Sequence, residues 1–86
     1  MILFHRSFKK KYRKLREGER QRCDFRLKIF ENNSFHSILN NHSLSGEYKG
    51  SWSISIGGDL RAIYRYETKD AIIFVDIDTH HNLFGS

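Results

Sequence analysis

"SWSISIGGDLRAIYRYETKDAIIFVDID", residues 51–78, decides the fold. Trp52, Ile54 and Ile56 alternate with Ser51, Ser53 and Ser55, the two-residue period of a strand with one buried face. "GGD" then turns the chain into "LRAIYRYE", and "TKD" turns it into "AIIFVDID". Both connections are of hairpin length, so the three strands are expected to form an antiparallel meander. Working outward, the opening "MILF" can add an edge strand.

Before the meander the period is helical. Phe8, Tyr12 and Leu15 fall on one stripe, with Lys9, Lys10, Lys11, Arg13, Lys14 and Arg16 on the other faces. Residues 6–17 therefore read as an amphipathic helix, with Gly18 as its stop. A second helix is expected from Glu19 to about Glu31, burying Cys23, Leu27 and Phe30 with help from Phe25 and Ile29. "ENNSFHSILNNHSLSG" reads as a connection, anchored by Phe35, Ile38, Leu39 and Leu44. The expected fold class is α+β: two N-terminal helices packed on a small, mainly antiparallel twisted sheet of three to four strands. Residues 1–86 are expected to make one domain.

Charge is unevenly placed. Residues 1–30 carry 11 Lys+Arg against 3 Asp+Glu, a net +8, whereas residues 31–86 carry 4 against 7, a net −3. The concentrated positive field suits phosphate backbones or an acidic protein partner, and membrane surfaces less specifically; a merely solvated helix face is the plain alternative. A single Cys23 excludes an internal disulfide and a cysteine-rich metal site, and a reducing cytoplasm is the simplest home. No apolar run reaches membrane-spanning length, and "MILF" is too short for a secretory signal.

The end of the third strand, "VDIDTHHNLF", is dense in titratable groups. Continued extension would turn Asp76, Asp78 and His80 to one side and Ile77, Thr79 and His81 to the other. Beside a carboxylate, His80 could transfer a proton near neutral pH, or it could simply end a strand. Asp76, Asp78, His80 and His81 are metal-ligand types, but neighbours on a strand diverge and no second cluster has ligand spacing, so no metal is expected. Taken singly, Arg61, Asp59 and His42 are ordinary residues of a strand, a turn and a loop. His5 and His36 carry no motif, Lys69 reads as solvated, and Trp52 reads as core or site wall.

"FKKKYRKL" (8–15), "NNHSLSGEYKGSWSISIGGDLRAIYRY" (40–66) and "IIFVDIDTHHNLF" (72–84) together, in this order, resemble the RelE/ParE toxin superfamily, in particular its YafQ-like mRNA interferase branch. The combination of H-x-L-x-G, G-D-x-R-x-I-Y and D-I-x-T-H-x-x-L-F carries the likeness. The chain departs from the branch at Ser55, where a histidine is found, at Asp76, where a catalytic arginine is found, and at Asp78, where glycine is usual.

The resemblance implies a small basic toxin of a type II toxin–antitoxin pair that cuts messenger RNA in the ribosomal A site. It also implies a cognate acidic antitoxin bound as a hetero-oligomer, and chemistry with no metal or other cofactor. Under it, His42 matches a proton acceptor, and Asp59 an aspartate that orients a histidine or acts as base. Arg61 matches a phosphate-contacting arginine, His80 the terminal general acid, and Phe84 an aromatic that stacks on a base. Lys9, Lys10, Lys14 and Lys49 are then expected to meet RNA phosphates. The superfamily also holds ParE-type inhibitors that bind a topoisomerase without cutting RNA, and a degenerated toxin acting as a binding protein is a further alternative.

Overall fold

The computed structural model describes residues 1–85. Its elements are β1 (Ile2–Phe4), α1 (Arg6–Arg13), α2 (Glu17–Asn32), β2 (His42–Ser43), β3 (Ser51–Gly57), β4 (Leu60–Thr68), β5 (Ala71–Thr79) and α3 (His80–Phe84). Short 3-10 turns at Ser37–Leu39 and Gly46–Tyr48 flank β2. The sheet has five strands in the order β1-β5-β4-β3-β2. The expected meander β3-β4-β5 is antiparallel, β2 pairs antiparallel with β3, and β1 joins β5 in parallel with Ile2 opposite Ile72 and Phe4 opposite Phe74. The class is α+β as expected, with one strand more than three to four because His42–Ser43 pairs along Trp52 and Ser53. Among the described residues no helix is long and apolar enough to cross a membrane.

The β3–β4 hairpin needs its glycines. Gly57 has φ +110° and Gly58 φ +55°, backbone that side chains with a Cβ rarely adopt. A Cβ on Gly57 would also lie 2.8 Å from Nε of Arg22, so α2 lies directly over this turn. Arg26, one turn along α2, donates to the carbonyls of Ile38 (3.0 Å) and Ser55 (3.1 Å). The two arginines join α2 to the hairpin and to the connection before β2.

The junction between the helices differs from the sequence reading. α1 stops at Arg13, where Lys14 N–H bonds back to Lys11 C=O and Leu15 N–H to Tyr12 C=O, a tightening that ends a helix. Arg16 is extended and its N–H donates to the Glu19 carboxylate at 2.9 Å, so the second helix starts two residues before Glu19. Gly18 therefore lies in the first turn of α2 and does not stop α1. Arg20 donates to the Leu15 carbonyl across the same junction. His5 caps α1 by accepting the Ser7 N–H (3.1 Å), and His36 accepts the Ile38 N–H (3.1 Å), so both histidines serve local backbone.

Between the long helices and the sheet lies the core: Phe8, Cys23, Phe30, Leu39, Ile54, Ile56, Leu60, Ala62, Tyr64, Ile72, Phe74 and Ile77. Phe74 is fully enclosed, and its ring sits 5.8 Å from Phe4, 5.7 Å from Phe8, 5.3 Å from Phe30 and 5.3 Å from Tyr64. Burial pushes the Cys23 thiol up to about 12, which leaves it protonated and inert. Phe25, expected to help α2 into the core, is 60% exposed. Of the expected anchors of the connection, Ile38 is 41% and Phe35 59% exposed, although the Phe35 ring lies edge-on to Trp52 at 6.1 Å; Leu39 is buried and Leu44 half-buried. Ser53 is buried although its alternation put it outward. It is the strand partner of Ile63, itself buried outside the helix-side core, so the reverse face of the sheet is partly covered too.

Phe74→Ala should lose ~3–5 kcal/mol, much of the stability of a domain this small. Phe25→Ala should stay within about 0.5 kcal/mol of the parent. Urea unfolding of the two variants checks both.

Candidate functional site

Where β5 ends, the sequence reading and the structure part. Extension stops at Thr79, whose hydroxyl accepts the Asn82 N–H at 3.1 Å and caps α3. His80 and His81 are therefore successive residues of a helical turn, not opposite sides of a strand. His81 is exposed, and His80 is half-buried. The His80 N–H donates to the Asp59 carbonyl at 2.8 Å, which ties α3 to the β3–β4 turn. The His80 ring packs on Phe84 one turn later, with centroids 4.8 Å apart.

His80 and Phe84 form one wall of a cleft of about 330 Å³ completed by Asn40, His42, Leu44, Ser53 and Arg61. Four residues singled out in the sequence, His42, Arg61, His80 and Phe84, thus meet from three separate segments, β2, β4 and α3. The His42 ring is held by a 2.7 Å contact from Nδ1 to the Asn40 carbonyl, and Asn40 itself adopts the left-handed conformation with φ +46°. Arg61 spends Nη1 on the carbonyls of Gly58 and Leu60, both at 2.9 Å. No hydrogen bond from Nη2 or Nε of Arg61 is found among the described residues, and these are the donors of the fork that suits an anion. Phe84 is braced from behind by Tyr48, whose ring lies edge-on at 5.4 Å and whose hydroxyl donates to the Leu83 carbonyl at 3.0 Å.

Asp59 is exposed at the turn and is not among the cleft-lining residues. Lys9, Lys10, Lys14 and Lys49 are all exposed and outside the cleft. Lys9 borders a groove between α1 and α2 with Tyr12 and Asp24, and Lys14 borders another with Leu60 and Ile77. In the first groove a 2.6 Å bond to Asp24 pushes the Tyr12 phenol up to about 12.

Sequence reading missed Asn40, Leu44 and Ser53 as cleft residues, and Tyr48 as their support. Ser53 Oγ is enclosed and has no hydrogen-bond partner among the described residues. Its place depends on the register that sets it between His42 and Ile63, which no local pattern announces. Lys11 was missed as well. Its ammonium lies 2.9 Å from Asp76 Oδ1 and 3.1 Å from Asp78 Oδ2, so both carboxylates are turned to a cation of α1.

Partial burial works to raise the Asp78 pKa, but hydrogen bonds from Asn82, the Thr79 N–H and Lys11 outweigh it, and the net value is lowered. Partial burial likewise works to lower the Lys11 pKa, and the bonds to Asp76 and Asp78 outweigh it, so the net value is raised.

The family whose sequence pattern matches the chain, over residues 1–85, is described as the bacterial toxin of type II toxin–antitoxin system, YafQ. Similar solved structures include YafQ from E. coli, with TM-score 0.81 and 20% identity over 99% of this chain and 98% of that one. Another is the E. coli DinJ–YafQ complex, with TM-score 0.76 and 24% identity over 99% and 98%. A third, the YoeB/ParE toxin from Agrobacterium tumefaciens, has TM-score 0.74 and 16% identity over 92% and 96%. At such identities the likeness to these structures is one of fold. No curated protein sequence matches the chain.

The lowered Asp78 pKa contributes stability that is present above the carboxylate's ordinary value of 3.8 and lost as pH falls through the folded value. Asp78→Asn should therefore flatten the loss of stability on acidification below that value. The raised Lys11 pKa contributes stability that is present below 10.5 and lost as pH rises through the folded value, so Lys11→Met should flatten the alkaline loss. Urea midpoints followed by circular dichroism across both pH ranges check the two signs.

Proposed function

The chain belongs to the YafQ family of bacterial toxins of type II toxin–antitoxin systems, and we propose that it inhibits translation as a ribosome-dependent mRNA endonuclease. The observation that carries this reading is the cleft in which two imidazoles, a guanidinium and an aromatic ring meet.

RNA supplies its own nucleophile. The ribose 2′-hydroxyl attacks the adjacent phosphorus, the P–O5′ bond breaks, and the products are a 2′,3′-cyclic phosphate and a 5′-hydroxyl. The reaction needs a base for the 2′ proton, an acid for the departing oxygen, and fixed positive charge for the phosphorane. His42 is the base in this scheme and His80 the acid. Arg61, with one nitrogen already fixed by two carbonyls, presents the rest of its fork to the phosphoryl oxygens. Phe84 offers a ring face against which a neighbouring base stacks. Asp59, whose carbonyl holds the start of α3, acts from the rim by orienting a histidine or by assisting as base.

The exposed Lys9, Lys10, Lys14 and Lys49 serve in positioning, by contact with phosphates of mRNA or of ribosomal RNA. A toxin that acts on ribosomes works in the cytoplasm. The partner that restrains it is an acidic antitoxin, a proposal supported by the net +8 of residues 1–30 and by the DinJ–YafQ complex among the similar structures.

Mapping transcript ends after brief expression tests the reading. New 5′-hydroxyl ends inside coding regions are expected; intact RNA with a DNA-damage response would replace the nuclease with a topoisomerase-binding toxin. His80→Ala should cut the cleavage rate by about 10²–10⁴-fold with the fold intact, while exposed His81→Ala should be tolerated. Arg61→Ala should lose about 10²–10³-fold and Arg61→Lys less, since charge survives without the fork. Lys9, Lys10 and Lys14 changed together to Gln should weaken ribosome association and flatten its salt dependence, with cleavage at saturation unchanged.

A further inference from the structure

Lys11 differs from the other lysines of α1. Among the described residues the ion pairs are those of Lys11 with Asp76 and Asp78 and of Arg65 with Glu67, so Lys9, Lys10 and Lys14 have none. The Lys11 ammonium therefore bridges α1 to the end of β5, where Asp78 lies two residues before His80.

We propose that Lys11 is a positioning residue of the cleft: by holding Asp76 and Asp78 it fixes the junction of β5 with α3, and so the direction in which His80 and Phe84 enter the site. The catalytic part of this inference rests on the nuclease reading. Its conformational part does not.

The connection runs through Asp78. One carboxylate oxygen, Oδ2, accepts from Lys11, while Oδ1 accepts the Thr79 N–H at 2.7 Å and the Asn82 side-chain amide at 2.9 Å. Asn82 is gripped a second time through its own N–H on Thr79 Oγ1. A helix as short as His80–Phe84 has no stability of its own, so these bonds, with the His80 bond to Asp59, define its first turn. The His80 and Phe84 rings pack on each other at a tilt of 57° across that turn, so a shift of one displaces the other.

Without Lys11 the strand would end in two carboxylates of like charge, only two residues apart. Asp78 would relieve the repulsion by turning outward, and its grip on Thr79 and Asn82 would go with it. The side chains are 43% exposed for Lys11 and 27% and 26% for the aspartates, so solvent screens the attraction and little global stability depends on it. The effect is on aim.

Two readouts test the proposal. In ribosome-bound mRNA cleavage, Lys11→Met should lower kcat about ten- to a hundredfold with KM within about twofold, because a displaced acid loses rate without losing binding. Lys11→Arg should keep most of the rate. Asp76→Asn and Asp78→Asn added to Lys11→Met should recover part of it, since asparagine removes the repulsion and still accepts from Thr79 and Asn82. In amide hydrogen exchange, Lys11→Met should speed residues 80–84 at least about tenfold and leave α2 and β3 unchanged. Unchanged exchange at 80–84 overturns the proposal. So does a loss confined to KM, which would make Lys11 one more phosphate contact. If Lys11→Met does not fold, Asn82→Ala breaks the same grip from the surface and must show the same exchange and kcat changes, or the proposal falls. Should the parent cut no RNA, the nuclease reading fails by itself, and faster or unchanged exchange at 80–84 still decides the role of Lys11.

Discussion

Phe74 is fully buried at the middle of β5 and packs against an aromatic ring from β1, α1, α2 and β4 in turn. The ring is stacked with Phe4, tilted to Phe8 and Tyr64 and edge-on to Phe30, and such contacts fix angles as well as distance, so it sets how four elements meet. β5 is held between β1 and β4 by this packing, and the residues after it inherit its position. The cleft depends on the core in this way, since His80 follows β5 after its last residue.

Two kinds of tether convert a held strand into a held site. On the hairpin side, Gly57 lies under Arg22, and Asp59 receives the His80 N–H. On the edge side, Ser7 Oγ donates to the Val75 carbonyl at 2.6 Å, and Lys11 gathers the two carboxylates. α1 is therefore more than a basic surface: one lysine of its cluster is committed inward, and the others are left to solvent or to an anionic partner. That same lysine offsets one of the two negative charges that Asp76 and Asp78 place at the end of β5.

The meander was legible because two-residue alternation and hairpin-length turns leave little choice of topology, and the two glycines of "GGD" do adopt the positive φ that a tight turn of this shape demands. The helix junction was not, because Gly18 looks like a stop while the decisive contact is Glu19 reaching back to Arg16. Phe25 misled because α2 is apolar at Cys23, Phe25, Leu27, Ile29 and Phe30, which fit more than one face; only the sheet beneath chooses. The two histidines misled for a local reason: Thr79 caps a helix, and a cap ends the alternation on which their opposite placement rested. His42, Arg61 and Phe84 entered through the family likeness, His80 already through the cluster of titratable groups after Val75, and the fold gathers the four at one cleft. Ser53, Asn40 and Leu44 required register and loop conformation, which sequence patterns do not encode.

The parallel pairing of β1 with β5 joins Ile2 to Ile72 and Phe4 to Phe74. A ribosome makes the first of these residues long before the second, at a pace of about 5–20 residues per second. Until β5 is out, β1 has no neighbour in the sheet and Phe8 no Phe74 to cover it, so the core cannot close on the growing chain. His80 is made later still. The order of synthesis thus delays assembly of the cleft until the strand that carries it has been finished.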